Sequence, residues 1–502
     1  GGGLTPGVAA SVLARCCCTD EHRERVAQAG GISPLVNLLG SGLHVVQEAA
    51  LDALSTLTLG SAALCSKVLE RAGAVESVQA LARSPHPRMR LLAATCMTNI
   101  GARGEDEEVG LTLRMQALPV LVHLLGDESF KAETPHVLAR LLGNDEELQK
   151  AACEADAVGR LMAYMHDDRA PPRQREGVML CLGALCQHKE DSRKQLVDAK
   201  GLAPIVQALE DEDPAVRTAA CVCTRSLSRS VKALRTSLAE ANIVTPLFKL
   251  LRDSCPSVQA HACATICNMV LDFSPMKQVV LEVGGVKTLA GLTQSMEKPL
   301  RLHSLRAFRN LLYCASSDLK RRAMEELGWG SLVALLDDPE EEVQITAIMM
   351  LRNLAHGDPQ DVELILRYQD RAILQVLGRK LSPLSQSSRS SEIRVESLYA
   401  VSNMATGTEA HKNAVMDSGV IESIYYHMAD SSPEVRVAAV WAIINLCWQD
   451  GVPQEGDEVL GRIRRLKNMG MLSQLEGMMA DACLDVKDRA KTALDLFHDS
   501  AL

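Results

Sequence analysis

Apolar residues along this chain recur at three- and four-residue spacing, in runs longer than strands and broken by glycine or by short polar links. Val435, Ala438, Ala442 and Leu446 trace one such run. The segments "EVGGVKTLAGLTQ", "DAKGLAPIVQALE", "QAGGISPLVNLLG" and "DSGVIESIYYHMA" each break at glycine between a polar helix and an apolar one. Glycine suits the left-handed residue that ends a helix. Links such as "EDEDPAV", "LDDPEEEV" and "SSPEV" follow, with proline and acids where a first helical turn tolerates them. The predicted unit is three helices, short, medium and long, and the long one commits a stripe of small apolar residues to its neighbours.

That unit recurs. The ends of the long helices align at Ala14, Thr56, Asn99, Arg140, Ala184, Ser226, Asn268, Asn310, Asn353, Asn403 and Asn445, in steps of 41 to 44 residues with one of 50. Ankyrin and tetratricopeptide repeats are shorter, so the period selects the armadillo and HEAT group. The glycine break and the recurrent Asn-apolar ending favour armadillo. The expected fold is all-α, a right-handed superhelical armadillo solenoid of about eleven to twelve three-helix repeats. Residues 1–254 are expected to hold the N-terminal repeats and 255–502 the C-terminal ones. "GVAASVLARCCC" reads as the last helix of a truncated first repeat. Two polar insertions break the period: a Ser-rich tract near 382–391, with phosphate acceptance beside Arg389 and Arg394 as the alternative to a flexible loop, and the longer loop after Trp448.

Composition narrows the chemistry. Apolar residues make up 47% and aromatics 3%, so the core must be built from Leu, Val, Ala, Ile and Met, which suits packed helices. A formal net charge of −10 gives no general attraction to nucleic acid or anionic membrane. The sixteen cysteines sit within apolar helical runs and read as small buried residues, which points to the reducing cytoplasm and nucleus. No run of apolar residues is long enough to span a bilayer. A myristoylation pattern from Gly1 to Thr5 would need a preceding methionine and is set aside. HExxH, GxSxG, Walker and GxGxxG motifs are absent from the sequence, and Cys263, Cys267 and His261 fall at core spacing with no second ligand pair. No enzyme activity, cofactor or metal is expected.

In stacked repeats the long third helices line a shared trough, so the aligned position becomes a candidate binding position. An asparagine there can offer N–H and carbonyl to the main chain of an extended peptide. Asn310, Asn353, Asn403 and Asn445, with Asn268 before them, form such a ladder of five, and Tyr399 and Trp441 stand one turn before two of them. "PLRLHSLRAFRNLLYC" carries Arg301, Arg306 and Arg309 without an acid, ends beside Tyr313, and is followed by Arg352 next to Asn353. A positive stretch of trough is expected, suited to an acidic segment or a free C-terminus. The competing readings are that each asparagine satisfies carbonyls of an adjacent repeat, that the arginines are solvated, and that Trp448 covers a seam. An import adaptor or signalling scaffold is the alternative function. Import would need Trp/Asn pairs in successive repeats with acids beside them, and only Trp441/Asn445 qualifies.

"HACATICNMVLDFSPMKQVVLEVGGVKTLAGLTQS", then "LRAFRNLLYCASSDLKRRAM", "LRNLAHG", "VSNMATGT" and "INLCW", resemble the C-terminal half of the armadillo repeat-containing protein 8 family. "LDFSP" after an asparagine is the most specific piece. The resemblance is strong over 255–498 and only architectural before that. It implies a non-catalytic scaffold subunit of the CTLH complex, called GID in yeast, a multisubunit RING-type E3 ubiquitin ligase acting in proteasomal degradation. The family's role implies partners: a substrate receptor, whose C-terminal tail runs in the groove of the C-terminal repeats, and the LisH/CTLH scaffold and RING subunits. One departure bears on the site: the family's tryptophan four residues before the position of Asn310 is Arg306 here. The gripping aromatic is therefore expected at Tyr313, Tyr399 or Trp441, the alternative being a receptor tail that differs.

Overall fold

A computed structural model describes residues 4–103, 107–165, 167, 169–230, 235–271, 276–384, 390–449 and 457–499. Residues 385–389 of the Ser-rich tract, including Arg389, and most of the loop after Trp448 lie outside them. The described residues form 33 α-helices and one short 3-10 turn, with no strand among them. The chain divides into two compact units, 1–265 and 266–502, and the division falls inside the helix Pro256–Met269.

In the N-terminal unit the third helices are Leu4–Cys16, His44–Leu57, Pro87–Arg103, Thr134–Leu142, Pro172–Leu185 and Pro214–Ser228, each packed on the next. In the C-terminal unit they are Lys298–Leu312, Glu341–Leu354, Ser391–Met404, Pro433–Cys447 and Leu484–Asp499, stacked likewise. Starts are set as the links predict. Pro214 and Pro433 occupy the first turn, and Asp213 and Ser432 cap it by accepting from the N–H groups of Ala215 and Val435.

Three local expectations change. First and second helices are of similar length, Met276–Glu282 against Gly285–Leu292, and Ser317–Leu327 is the longer of its pair with Trp329–Leu336. Where "MQALPVLV" lacks a glycine, first and second helices fuse into Glu107–Leu124 with Pro119 inside. In "DAKGLAPIVQALE" the left-handed residue is Lys200, φ 60°, not Gly201. Gly201 serves close approach, since a Cβ there would lie 2.3 Å from Leu196 Cδ1.

The third helices are buried almost all round, because each is flanked by two others and roofed by its own repeat. In Pro433–Cys447, Val435, Ala438, Ala442 and Leu446 are fully buried as predicted, but so are Ala439, Val440 and Ile443. The open surface is a narrow line through Glu434, Trp441, Asn445 and Trp448. Of the cysteines, Cys16, Cys18 and Cys314 are exposed, Cys255 and Cys483 are partly so, and the rest are buried.

Candidate functional site

Each third helix of the C-terminal unit keeps one such open line, and all ten candidate residues lie on them: Arg306, Arg309, Asn310 and Tyr313; Arg352 and Asn353; Tyr399 and Asn403; Trp441 and Asn445. The cause is helical spacing on a helix whose other faces are packed.

The asparagines do more than face outward. Asn310 Nδ2 donates to the Cys267 carbonyl at 3.0 Å, Asn353 to Arg309 at 3.0 Å, Asn403 to Arg352 at 3.0 Å and Asn445 to Ser402 at 3.1 Å. Asn99 does the same to Ser55 at 2.9 Å in the N-terminal unit. These acceptors sit in the last turn of the preceding third helix, where carbonyls lack helical donors. Around them the N–H groups of Tyr313, His356 and Thr406 turn to Asn310, Asn353 and Asn403 instead, so Arg309, Arg352 and Ser402 would be orphaned without the next repeat. Each asparagine is thus a C-cap supplied by the following repeat. The expectation of a wholly free amide is corrected: one N–H of each amide is used internally, and both in Asn445, so a guest is left the remaining N–H and the side-chain oxygen. Asn310 commits even that oxygen, which accepts from Arg309 Nη2 at 2.9 Å.

The expected run of free arginines is also corrected. Arg301 leaves the trough and grips Asp338 in the next link through two bonds, 2.8 and 3.1 Å. Arg352 pairs with Glu396 at 2.8 Å, and its guanidinium lies 5.5 Å from the Tyr399 ring centre. Arg306 approaches Glu342 only to 3.9 Å. Arg309 alone of the four has no carboxylate at ion-pair distance among the described residues. Burial, partly offset by Cys267, depresses its basicity. Burial likewise raises the Glu396 carboxyl, opposed by Arg352, and raises Tyr399, reinforced by Asp485. Glu396 escaped the sequence reading because an acid three residues before Tyr399 looks like ordinary surface charge.

Five candidates converge. Tyr313, Arg352, Asn353, Tyr399 and Asn403, with Cys314 and His356, line a cleft of about 480 Å³. Its walls offer two phenol rings, asparagine carbonyl oxygens that can accept from a guest backbone, and a guanidinium. Trp441 is set apart: its ring is covered by Arg489 of the last helix, guanidinium to ring centre 4.6 Å. Trp448 is 53% exposed and covers no seam.

Two recurrent devices hold the trough in register. An arginine early in a third helix pairs with an aspartate of the following link: Arg175–Asp211, Arg217–Asp253, Arg301–Asp338, Arg394–Asp430 and Arg436–Asp481. Its sequence signal, missed by aligning helix ends, is an arginine at the fourth residue of a third helix with an aspartate 36 or 37 residues on, or 45 for Arg436. Buried cations on first helices finish third-helix ends: Arg193 donates to Cys186 and Gln187, Lys320 to Leu354 and His356, and Lys412 to Trp448.

Three-helix repeats with stacked third helices, linked in this way, define an armadillo-repeat protein, and a family model for the armadillo/beta-catenin-like repeat matches residues 19–59. The crystal structure of an engineered protein superposes with TM-score 0.61 at 22% identity, over 93% of this chain and 98% of that one, which supports the fold. Over 97% of its length the chain is similar to armadillo repeat-containing protein 8. It is 29% identical to the Danio rerio protein, covering 97% of this chain and 75% of that protein, and 27% identical to the Mus musculus protein with the same coverage. GID complex subunit 5 of Schizosaccharomyces pombe is 25% identical over 82% of this chain and 62% of its own length. The relationship therefore extends through the N-terminal repeats, where the sequence phrases alone had indicated only architecture.

Proposed function

We propose that the chain is a non-catalytic scaffold subunit of a GID/CTLH-type RING E3 ubiquitin ligase. It holds the C-terminal tail of the substrate receptor in the cleft of its C-terminal unit, joins it to the LisH/CTLH and RING subunits, and acts in the cytoplasm and nucleus. The observation that carries the reading is the cleft formed by Tyr313, Arg352, Asn353, Tyr399 and Asn403. Similarity to a GID complex subunit supports the assembly, and the cleft's chemistry supports the guest. An extended chain end presents backbone N–H groups to the asparagine oxygens, side chains to the phenol walls and a terminal carboxylate to Arg309, which has no carboxylate at ion-pair distance among the described residues.

The test is affinity purification of the tagged chain at moderate salt with identification of co-purifying proteins, repeated with Tyr399→Ala and Arg309→Ala together. Expected is recovery of RING, LisH/CTLH and receptor proteins with the native chain, and selective loss of the receptor with the double variant. Recovery of none of them, or of import cargo in their place, would overturn the assignment. Unchanged receptor recovery with the variant would remove the cleft from it.

A further inference from the structure

The N-terminal unit has a larger cleft, about 780 Å³, on the open lines of its own third helices from His44–Leu57 to Pro214–Ser228. Two features open it. Thr134–Leu142 has nine residues where its neighbours have fourteen or more, and the wall beyond is built from Gly183, Ala184 and Ser226. The floor is apolar, with Leu91 and Val137 buried and Leu180 and Val222 half-buried.

Its charges are unevenly answered. Arg88 is occupied by Glu133 and lies 4.0 Å from Glu48. His136 Nε2 hydrogen-bonds the Arg173 carbonyl at 2.8 Å and lies 3.9 Å from Glu176. Arg140 and Arg173 line the same cleft, and their guanidinium groups meet no acid at ion-pair distance among the described residues. The flanking aligned positions, Asn99 and Ala184, supply none. Although Arg140 reaches solvent, desolvation between the cleft walls and then the like charge of Arg173 hold it below the ordinary arginine range. Two adjacent arginines with no internal counter-charge, above an apolar floor and beside a small-residue wall, form a receptor lacking its anion. The remaining lining acid, Asp52, stands two third helices away on His44–Leu57.

We infer that this cleft is a second binding site, for an extended carboxylate-rich segment of a partner protein, with paired Asp or Glu side chains on Arg140 and Arg173 and intervening apolar side chains on the floor. The arginine fork matches carboxylates bidentately, and desolvation in a cleft strengthens each pair. This site is separate from the receptor-tail cleft and uses none of its residues.

The probe is a fluorescein-labelled octapeptide alternating Glu and Leu, titrated by anisotropy against the full chain, beside Gln/Leu and Lys/Leu peptides. Expected is binding at least about tenfold tighter for the Glu peptide than for the Gln peptide, weakening with salt as charge pairing requires. Arg140→Ala with Arg173→Ala should remove that preference while circular dichroism stays native, and Arg140→Lys with Arg173→Lys should retain part of it. Equal affinity for the Glu and Gln peptides, no binding, or loss only with Arg309→Ala and Arg352→Ala would overturn the inference. Receptor recovery by the Arg140/Arg173 double variant tests the two sites apart, because the receptor reading requires it to be unchanged.

Discussion

Asn353→Asp changes one atom's character from donor to acceptor with almost no change in shape. In the native chain Asn353 Nδ2 lies 3.0 Å from the Arg309 carbonyl, which the helix itself leaves unsatisfied. Losing that half-buried hydrogen bond costs about 1 kcal/mol, and an Asn353→Ala variant should show this alone. A carboxylate adds repulsion against a helix C-terminus, roughly another 1 kcal/mol. For a unit of this size each kcal/mol lowers Tm by about 2–4 °C, so the expected fall is about 2–4 °C for alanine and about 4–8 °C for aspartate. Asn99→Asp should cost more, since Asn99 is 6% exposed and serves Thr58 Oγ1 as well as Ser55. The assay is thermal unfolding by circular dichroism and calorimetry near neutral pH and at mildly acidic pH. The introduced carboxyl has a raised folded-state pKa, so its contribution is best when protonated and worsens as pH rises from about 4. The gap to wild type should therefore narrow on acidification. Equal melting of Asn353→Asp and wild type, or a milder effect than Asn353→Ala, would refute the capping role.

Two further outcomes follow from the register devices. Arg217→Ala leaves Asp253, 8% exposed, without its partner and should destabilise by about 2–3 kcal/mol, read as a lower denaturant midpoint. Burial alone would raise the Asp253 carboxyl, but Arg217 and the Cys255 N–H hold it below the ordinary range, so its stabilisation is present above about pH 4 and is lost as pH falls through its lower folded value. The advantage of wild type over Asp253→Asn should vanish there, and an advantage that persists in acid would count against the clamp. Lys320→Met strands Asp361 in a site where both side chains are about 5% exposed, and should cost about 3–5 kcal/mol by chemical denaturation. Lys320→Met with Asp361→Leu should recover only part of it, because the carbonyls of Leu354 and His356 still lose their donor, and full recovery would count against that capping role.

Repeat length, helix class and the open line of each third helix were legible because they depend on spacing along one helix. Asn310, Asn353, Asn403 and Asn445 were found for that reason. Their main bond was not, because it depends on which carbonyl of another helix lacks a donor, and that is decided by how the neighbouring helix ends. The arginines show the same limit. Arg301, Arg306, Arg309 and Arg352 look alike in sequence, yet Asp338 and Glu396, 37 and 44 residues on, remove two of them from the pool of free charge. Lys200 took the turn position assigned to Gly201 because the glycine was needed where the chain passes against Leu196.

Because the third helices that precede Asn99, Asn310, Asn353, Asn403 and Asn445 are each finished by an amide from the repeat that follows, these caps give the array a direction. Removing repeats from the C-terminal side strips a cap from the helix left at the edge, whereas removing them from the N-terminal side only releases an asparagine into water. Truncations of equal length should thus be unequal in stability, the C-terminal one being weaker. During synthesis the same asymmetry makes these third helices wait for the next repeat, about 43 residues later for Asn310 and Asn445, before their ends are complete. Capping in these repeats runs from later repeat to earlier one.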